Sequence, residues 1–236
     1  MDPKDPSKRP PAAGRQPFLG HGVGLRRDHF ERVLAGPTGV GGHNAHDLLP
    51  LPYTERALDH VVERVQRVQE RLGRPIALEN VSSYIAYRHS TMPEWEFLSG
   101  ISRRAGCGIL LDINNIFVSA RNHRFDPMDY LKGVPPEAIW QFHLAGHSDK
   151  GTYLLDTHDH AIIEEVWALY REAVRLFGPV SSLIEWDDRI PPFETLEEEC
   201  RKAAALQNEA MSGARPDRGA VMAAPGGSAP GREVAG

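Results

Sequence analysis

The sequence predicts an α/β chain that carries most of a (β/α)-barrel. Two observations predict it: strand-like and helix-like periods alternate along the chain, and four successive strands close on a carboxylate or a histidine. At 236 residues the chain suits one large domain but is short for a complete eight-stranded barrel of roughly 250 residues.

The elements follow in order. His21 to Leu25 is a first, glycine-weakened strand, and Arg26 to Ala35 a helix. Gly36, Gly39, Gly41 and Gly42 then break the chain, and loop is expected up to Pro52. Thr54 can cap a helix to Leu72, in which Ala57, Leu58, Val61, Val62, Val65, Val68 and Leu72 form an apolar stripe stopped by Gly73. Pro75 to Glu79 is a short buried strand. Thr91 and Glu94 have the spacing of a capping box, opening a helix that ends at Gly106. Gly108 to Asp112 is the next strand, with a loop after it and a short helix over Pro127 to Lys132. Ala138 to Leu144 is a strand, followed by loop to about Ile162 and a helix to Phe177. Val180 to Glu185 is the last strand and Leu196 to Gln207 the last helix. Residues 1–17 read as a disordered leader, 18–208 as the barrel-like domain, and 209–236 as a disordered tail rich in Gly, Ala and Pro.

Composition narrows the function. The net charge of -5 arises from 27 basic and 32 acidic residues, well mixed; a nucleic-acid binder would show a basic stripe. Two cysteines, Cys107 and Cys200, are too few for a disulfide framework or thiolate cluster and suit a reducing, cytoplasmic setting. The charged, proline-containing start has no apolar run for a signal peptide, and no stretch approaches the roughly 18 apolar residues of a membrane span.

The strand ends carry the chemistry. Glu79 follows Ile76-Ala77-Leu78, Asp112 follows Ile109-Leu110-Leu111, His143 follows Trp140-Gln141-Phe142, and Glu185 follows Leu183-Ile184. The C-terminal ends of barrel strands surround one cavity, so residues distant in sequence converge there. One such residue could merely turn a strand out to solvent; four in register argue against coincidence. Loops beyond the ends add Asn114, Asn115, His123, His147, Asp156, His158 and His160. Carboxylates mixed with imidazoles suit iron, manganese or zinc, and carboxylates crowded together need cations to neutralise them. For His147 and His160 a supporting hydrogen bond is at least as good a reading as ligation. His89 reads as a packing or surface residue. Gly20-His21-Gly22-Val23-Gly24 lacks the spacing of a phosphate loop, and Ser82 and Ser83 lack a nucleophile elbow.

Seven blocks resemble the multinuclear non-haem iron-dependent oxidative enzymes, a family long catalogued as uncharacterised. They are Asp47 to Thr54, Leu78 to Tyr84, His89 to Glu96, Leu111 to Asn115, His143 to His147, Asp156 to His158, and Ile184 to Asp187, in family order within residues 18–206. The resemblance implies a sugar-isomerase-like barrel of the xylose-isomerase type holding two or three irons. It also implies dioxygen-dependent oxidation of ribosomally made precursor peptides, often with a separate peptide-recognition protein. By position, Glu79, Asp112, His143, Asp156, His158 and Glu185 match residues at or beside the iron cluster, with Asn115 and His147 in supporting roles. No residue is assigned as catalytic beyond these.

The chain departs from the family between Gly36 and Gly42, where relatives carry three further strands with histidine ligands. It therefore reads as an internally truncated member with about five of eight strands and an incomplete site that holds iron weakly. His43 and His46 stand at the junction. The strand-end residues alone would also suit a mononuclear divalent-metal isomerase or epimerase acting on a sugar-like substrate. A non-catalytic binding or assembly protein that keeps the fold is the third expectation.

Overall fold

The computed structural model describes residues 51–213, together with the backbone of Gly39–Val40 and His43–Asn44. These last two form a small antiparallel pair, β1 (Gly39–Val40) and β2 (His43–Asn44), where loop is expected. The leader, the first strand and helix expected over residues 21–35, His46, and the chain beyond residue 213 lie outside the described residues.

Helix α1 (Glu55–Leu72) forms where the apolar stripe predicts it. The Thr54 hydroxyl accepts from the Ala57 N–H at 3.2 Å, and Gly73 closes the helix in the left-handed region at φ 64°. Leu58, Val61, Val62 and Val65 are buried. Strand β3 (Ala77–Glu79) leads to α2 (Glu94–Ala105), which packs on α1. The expected capping box does not form. Pro93 occupies the N-cap, and the Glu94 carboxylate instead accepts from the Tyr53 and Tyr130 hydroxyls at 3.1 and 2.9 Å. Two phenols in a buried setting out-compete a backbone N–H for that carboxylate.

Strand β4 (Gly108–Asp112) passes directly into α3 (Ile113–His123), where the sequence reading expected loop. The signal was present in Asp112, an N-cap residue whose Oδ1 accepts from the Asn115 N–H at 2.7 Å, followed by apolar Ile113, Ile116 and Val118. Helix α4 (Pro127–Gly133) and a single 3₁₀ turn at Pro136–Ala138 precede β5 (Ile139–Ala145). The stretch expected as loop holds a hairpin, β6 (Ser148–Asp149) with β7 (Leu154–Leu155). Helix α5 (Glu164–Phe177), strand β8 (Ser181–Glu185) and helix α6 (Phe193–Gly213) complete the order. Helix α6 continues past the domain boundary expected at residue 208.

The four longer strands form one parallel sheet in the order β3-β4-β5-β8. This is an α/β arrangement resembling part of a β/α barrel. Among the described residues β3 and β8 are its edges. Ile109, Leu111, Phe142 and Leu144 are fully buried under the helices, with Val166, Trp167, Tyr170, Ala173 and Val174 of α5. The Tyr170 hydroxyl reaches the Ser182 hydroxyl of β8 at 2.8 Å, tying helix to sheet.

Register places the opposite face. Glu79 pairs with Leu110, Asp112 with His143, and Ala145 with Glu185. Side chains alternate along a strand, so Leu110 and Asp112 share a face, as do His143 and Ala145. Glu79, Asp112, His143 and Glu185 therefore share the face turned away from the helices. His143 lies two residues before the end of its strand rather than at it; the other three are terminal.

Candidate metal centre

Glu79, Asp112, His143 and Glu185 each offer a ligand atom, and all four atoms lie within 4.8 Å of one another. A second group, His158, Glu185 and Asp187, meets the same criterion and shares Glu185 with the first. His143 Nδ1 stands 3.0 Å from Glu185 Oε2 and 3.6 Å from Glu79 Oε1. His158 Nδ1 lies 3.2 Å from Asp187 Oδ2 and 3.6 Å from Glu185 Oε2, and its Nε2 lies 2.6 Å from Asp156 Oδ1. The ring is fully buried between carboxylates on both sides, and its backbone adopts φ 49°.

The six residues singled out as ligands thus converge, but in two layers. Glu79, Asp112, His143 and Glu185 make the first group; His158 joins through Glu185, and Asp156 joins through His158. Asp187 belongs to the second group without having been chosen from the sequence, although it sits two residues past Glu185 on the same strand exit.

Neighbouring amides hold the acids in place. Asn80 embraces the Asp112 backbone, accepting from its N–H at 2.8 Å and donating to its carbonyl at 2.9 Å. Asn115 donates from Nδ2 to the Asn80 carbonyl at 2.9 Å, so its expected supporting role has a geometry. Asn114 bridges His147 and Asp156: its Oδ1 meets His147 Nδ1 at 2.7 Å and its Nδ2 donates to Asp156 Oδ1 at 2.9 Å. Ser82 donates to Asp156 Oδ2 at 3.0 Å. Asn80 was missed because an Asn directly after a strand reads as turn chemistry. His123 instead meets Ser83 at 2.9 Å, His160 pairs with Asp159 outside the cluster, and His89 is exposed.

Electrostatics at this site are unusual. Burial, and then the charges of Glu79 and Asp156, push Asp112 well above the usual carboxylate range. Burial opposes a proton on His143, but the hydrogen bond to Glu185 and the nearby Glu79 carboxylate outweigh it and hold the pKa at about 9. His158 is held at about 11 in the same way, chiefly by Asp156 and Glu185. Glu185 is desolvated too, yet the two imidazoles keep it well below its ordinary value. Burial lowers His147.

These shifts set a pH dependence for the metal-free protein. His143 and His158 are raised when folded, so their stabilisation is complete below about pH 6.5 and is lost as pH rises towards 9 and 11. Asp112, also raised, loses stability as pH rises from its ordinary value to about 7, and the cost stays in full above that. Glu185 acts the other way, but only in acid. The melting temperature of the metal-free chain should therefore fall between pH 6 and pH 9, by several degrees for a loss on the order of 2 kcal/mol. A melting temperature that climbs over that interval would contradict the charge assignments.

Two buried atoms decide what the site can hold. Glu79 Oε1 and Asp112 Oδ2 are shielded from solvent without any hydrogen-bond partner. Buried carboxylate oxygens that accept no hydrogen bond are costly, and a bound cation removes that cost. Oxygen and imidazole donors without thiolate fit iron, manganese or zinc, so the buried group is capable of coordinating metal.

A family model described as "RiPP precursor modification enzyme MbnB/TglH/ChrH" matches residues 37–208. The chain belongs to this family. Its resemblance to the multinuclear non-haem iron-dependent oxidative enzymes is thereby borne out; residues 18–36, read as the first strand and helix, precede the match. A UPF0276 protein of Anaeromyxobacter sp. (strain Fw109-5) is 62% identical over 172 residues, 73% of this chain and 61% of the relative. A UPF0276 protein of Rhizorhabdus wittichii is 46% identical over 219 residues, covering 84% and 78%. One from Acaryochloris marina is 48% identical over 164 residues, covering 70% and 59%. The chain thus spans about three-fifths of the length of two of these MbnB/TglH/ChrH-type relatives. No helix among the described residues is long and apolar enough to cross a membrane.

Proposed function

We propose that this chain is the metal-binding portion of an iron- and dioxygen-dependent enzyme that oxidatively modifies a ribosomally made precursor peptide. The observation that carries the reading is the pair of buried oxygens that accept no hydrogen bond, Glu79 Oε1 and Asp112 Oδ2, set among His143 and Glu185. Family membership supplies the peptide substrate class.

In this reading Glu79, Asp112, His143 and Glu185 hold one iron. His158, Glu185 and Asp187, with Asp156 beside them, offer a second position, and Glu185 spans both. Bound iron would supply the redox equivalents that amino-acid side chains lack. The protein's own groups do the rest. Asn80 and Asn115 fix Asp112, Asn114 and Ser82 fix Asp156, and His147 orients Asn114. Residues 18–208, extended by α6 to Gly213, form the domain. Its sheet would be part of a xylose-isomerase-like barrel, three of whose strands the family carries where this chain has only the Gly36–Gly42 junction. A separate peptide-recognition protein is a partner by family analogy, and a cytoplasmic setting suits free Cys107 and Cys200.

The short span relative to the relatives favours one second reading: a truncated derivative that binds metal without catalysis. One experiment separates the two. The chain is reconstituted anaerobically with Fe(II) and given dioxygen with a candidate ribosomal precursor peptide. A peptide mass change that requires both iron and dioxygen, and is absent with manganese or zinc, supports the enzyme. No mass change here, but a change with a full-length relative, identifies the derivative. Turnover with manganese in the absence of dioxygen would defeat both.

A further inference from the structure

A cavity of about 230 Å³ opens beside the metal cluster, on the other side of the loop that follows Glu79. Consecutive residues of that loop serve the two places. Ser82 donates to Asp156 of the cluster, while Ser83 lines the cavity and meets His123 at 2.9 Å. The walls are Tyr53, Ile85, Tyr87, Met92, Trp95 and Phe125. Trp95 packs on Phe125 with ring centroids 5.5 Å apart, which fixes the inner end, while Ile85 is 47% exposed at the opening.

Glu94, Tyr53, Ser83, Ser90 and His123 of this wall are already engaged. Both oxygens of Glu94 accept from tyrosine hydroxyls, Tyr53 and Tyr130. The Ser90 hydroxyl accepts from the Tyr53 N–H at 3.1 Å, and His123 Nε2 is taken by Ser83. Burial pushes Glu94 up to about 7, and the two phenols take both of its oxygens. A cation receptor would keep a carboxylate free to face its ligand. This wall instead offers aromatic and aliphatic surface. Its volume lies below the roughly 300–1,000 Å³ of a cofactor or drug-sized site and suits one large side chain.

We infer that the cavity is a specificity subsite that takes a single apolar side chain, of the size of Phe, Leu or Met, from the peptide substrate near the residue brought to the cluster. The inference rests on the peptide-modifying reading above for the identity of its occupant. Consecutive Ser82 and Ser83 serve the cluster and the cavity, so the side chain belongs to a near neighbour of the modified position. The chemistry expected there is burial of apolar surface with no new ion pair.

The test uses the full chain without metal and reads the Trp95 indole resonance. N-acetyl-phenylalaninamide and N-acetyl-leucinamide should shift it saturably, with N-acetyl-lysinamide at least fivefold weaker. Ala86→Trp, which fills the cavity from its exposed wall, should abolish the shift while melting temperature, and iron uptake on separate reconstitution, stay unchanged. Tyr87→Ala should weaken it several-fold, a check should the first variant fold poorly. Absence of a saturable shift, for example because residues preceding Leu51 fill the cavity, would overturn the inference. Equal binding of the lysine amide, or undiminished binding to Ala86→Trp, would do the same. Iron counting on a separate, anaerobically reconstituted sample of the same protein decides the metal reading, so the two can fail independently.

Discussion

Asp112→Asn should leave the fold intact, stabilise the metal-free protein and reduce its metal affinity by at least about 100-fold, beyond the 10–100-fold typical of residues that merely support a ligand. The substitution separates two roles of one side chain. Oδ1 caps α3 by accepting from the Asn115 N–H, and an amide oxygen does that equally well. Oδ2 has no partner; an amide nitrogen in its place has no lone pair for a cation. That nitrogen can donate towards Glu79, whose charge is among those raising Asp112. Removing one buried negative charge should stabilise the metal-free chain by on the order of 1 kcal/mol. A combined reading of melting temperature without metal and dissociation constant with Fe(II) checks both arms. If Asp112 were only a helix cap, Asn would change neither.

Gly146→Ala should destabilise the chain by about 3 kcal/mol or more, at or past the upper end of ordinary overpacking. A Cβ there would sit 1.9 Å from the carbonyl oxygen of His160 and 2.5 Å from its carbon. Backbone, not a flexible side-chain end, is what it meets, so the segment carrying residues 156–161 must move. The Gly146 carbonyl also accepts from the His158 N–H at 3.1 Å, and that contact positions the buried imidazole between Asp156 and Asp187. The variant should therefore lose metal at the second group before it loses the first. Chemical denaturation and metal counting together make the check; a variant as stable as the parent, with unchanged metal content, would show that this close approach is not needed.

Much of this was legible in the sequence because the informative residues sit at the ends of apolar runs. Gly108 to Asp112 and Val180 to Glu185 are short enough to be strands and flanked by clear stops, so Asp112 and Glu185 could be placed at strand ends before any coordinates. His143 lies on the expected strand but does not close it, because Leu144 and Ala145 continue the ladder against β8. What could not be read depends on tertiary competition. Thr91 and Glu94 have capping-box spacing, yet Tyr53 and Tyr130 come from other segments to claim the carboxylate. Helix α3 was hidden because Asn114 and Asn115 read as turn residues; only the packed site gives their amides better partners than water. The pairing of His158 with Asp187 likewise needs the fold, since nothing local joins the two.

The central claim is that Glu79, Asp112, His143 and Glu185 form a metal site. Anaerobic calorimetric titration of the metal-free chain with Fe(II), run beside Asp112→Asn under identical conditions, tests it most directly. The account predicts saturable binding of at least one ion per chain, even if weaker than in a full-length relative, and its loss in the variant. Absence of saturable binding in the parent chain, or equal binding by parent and variant, would contradict it.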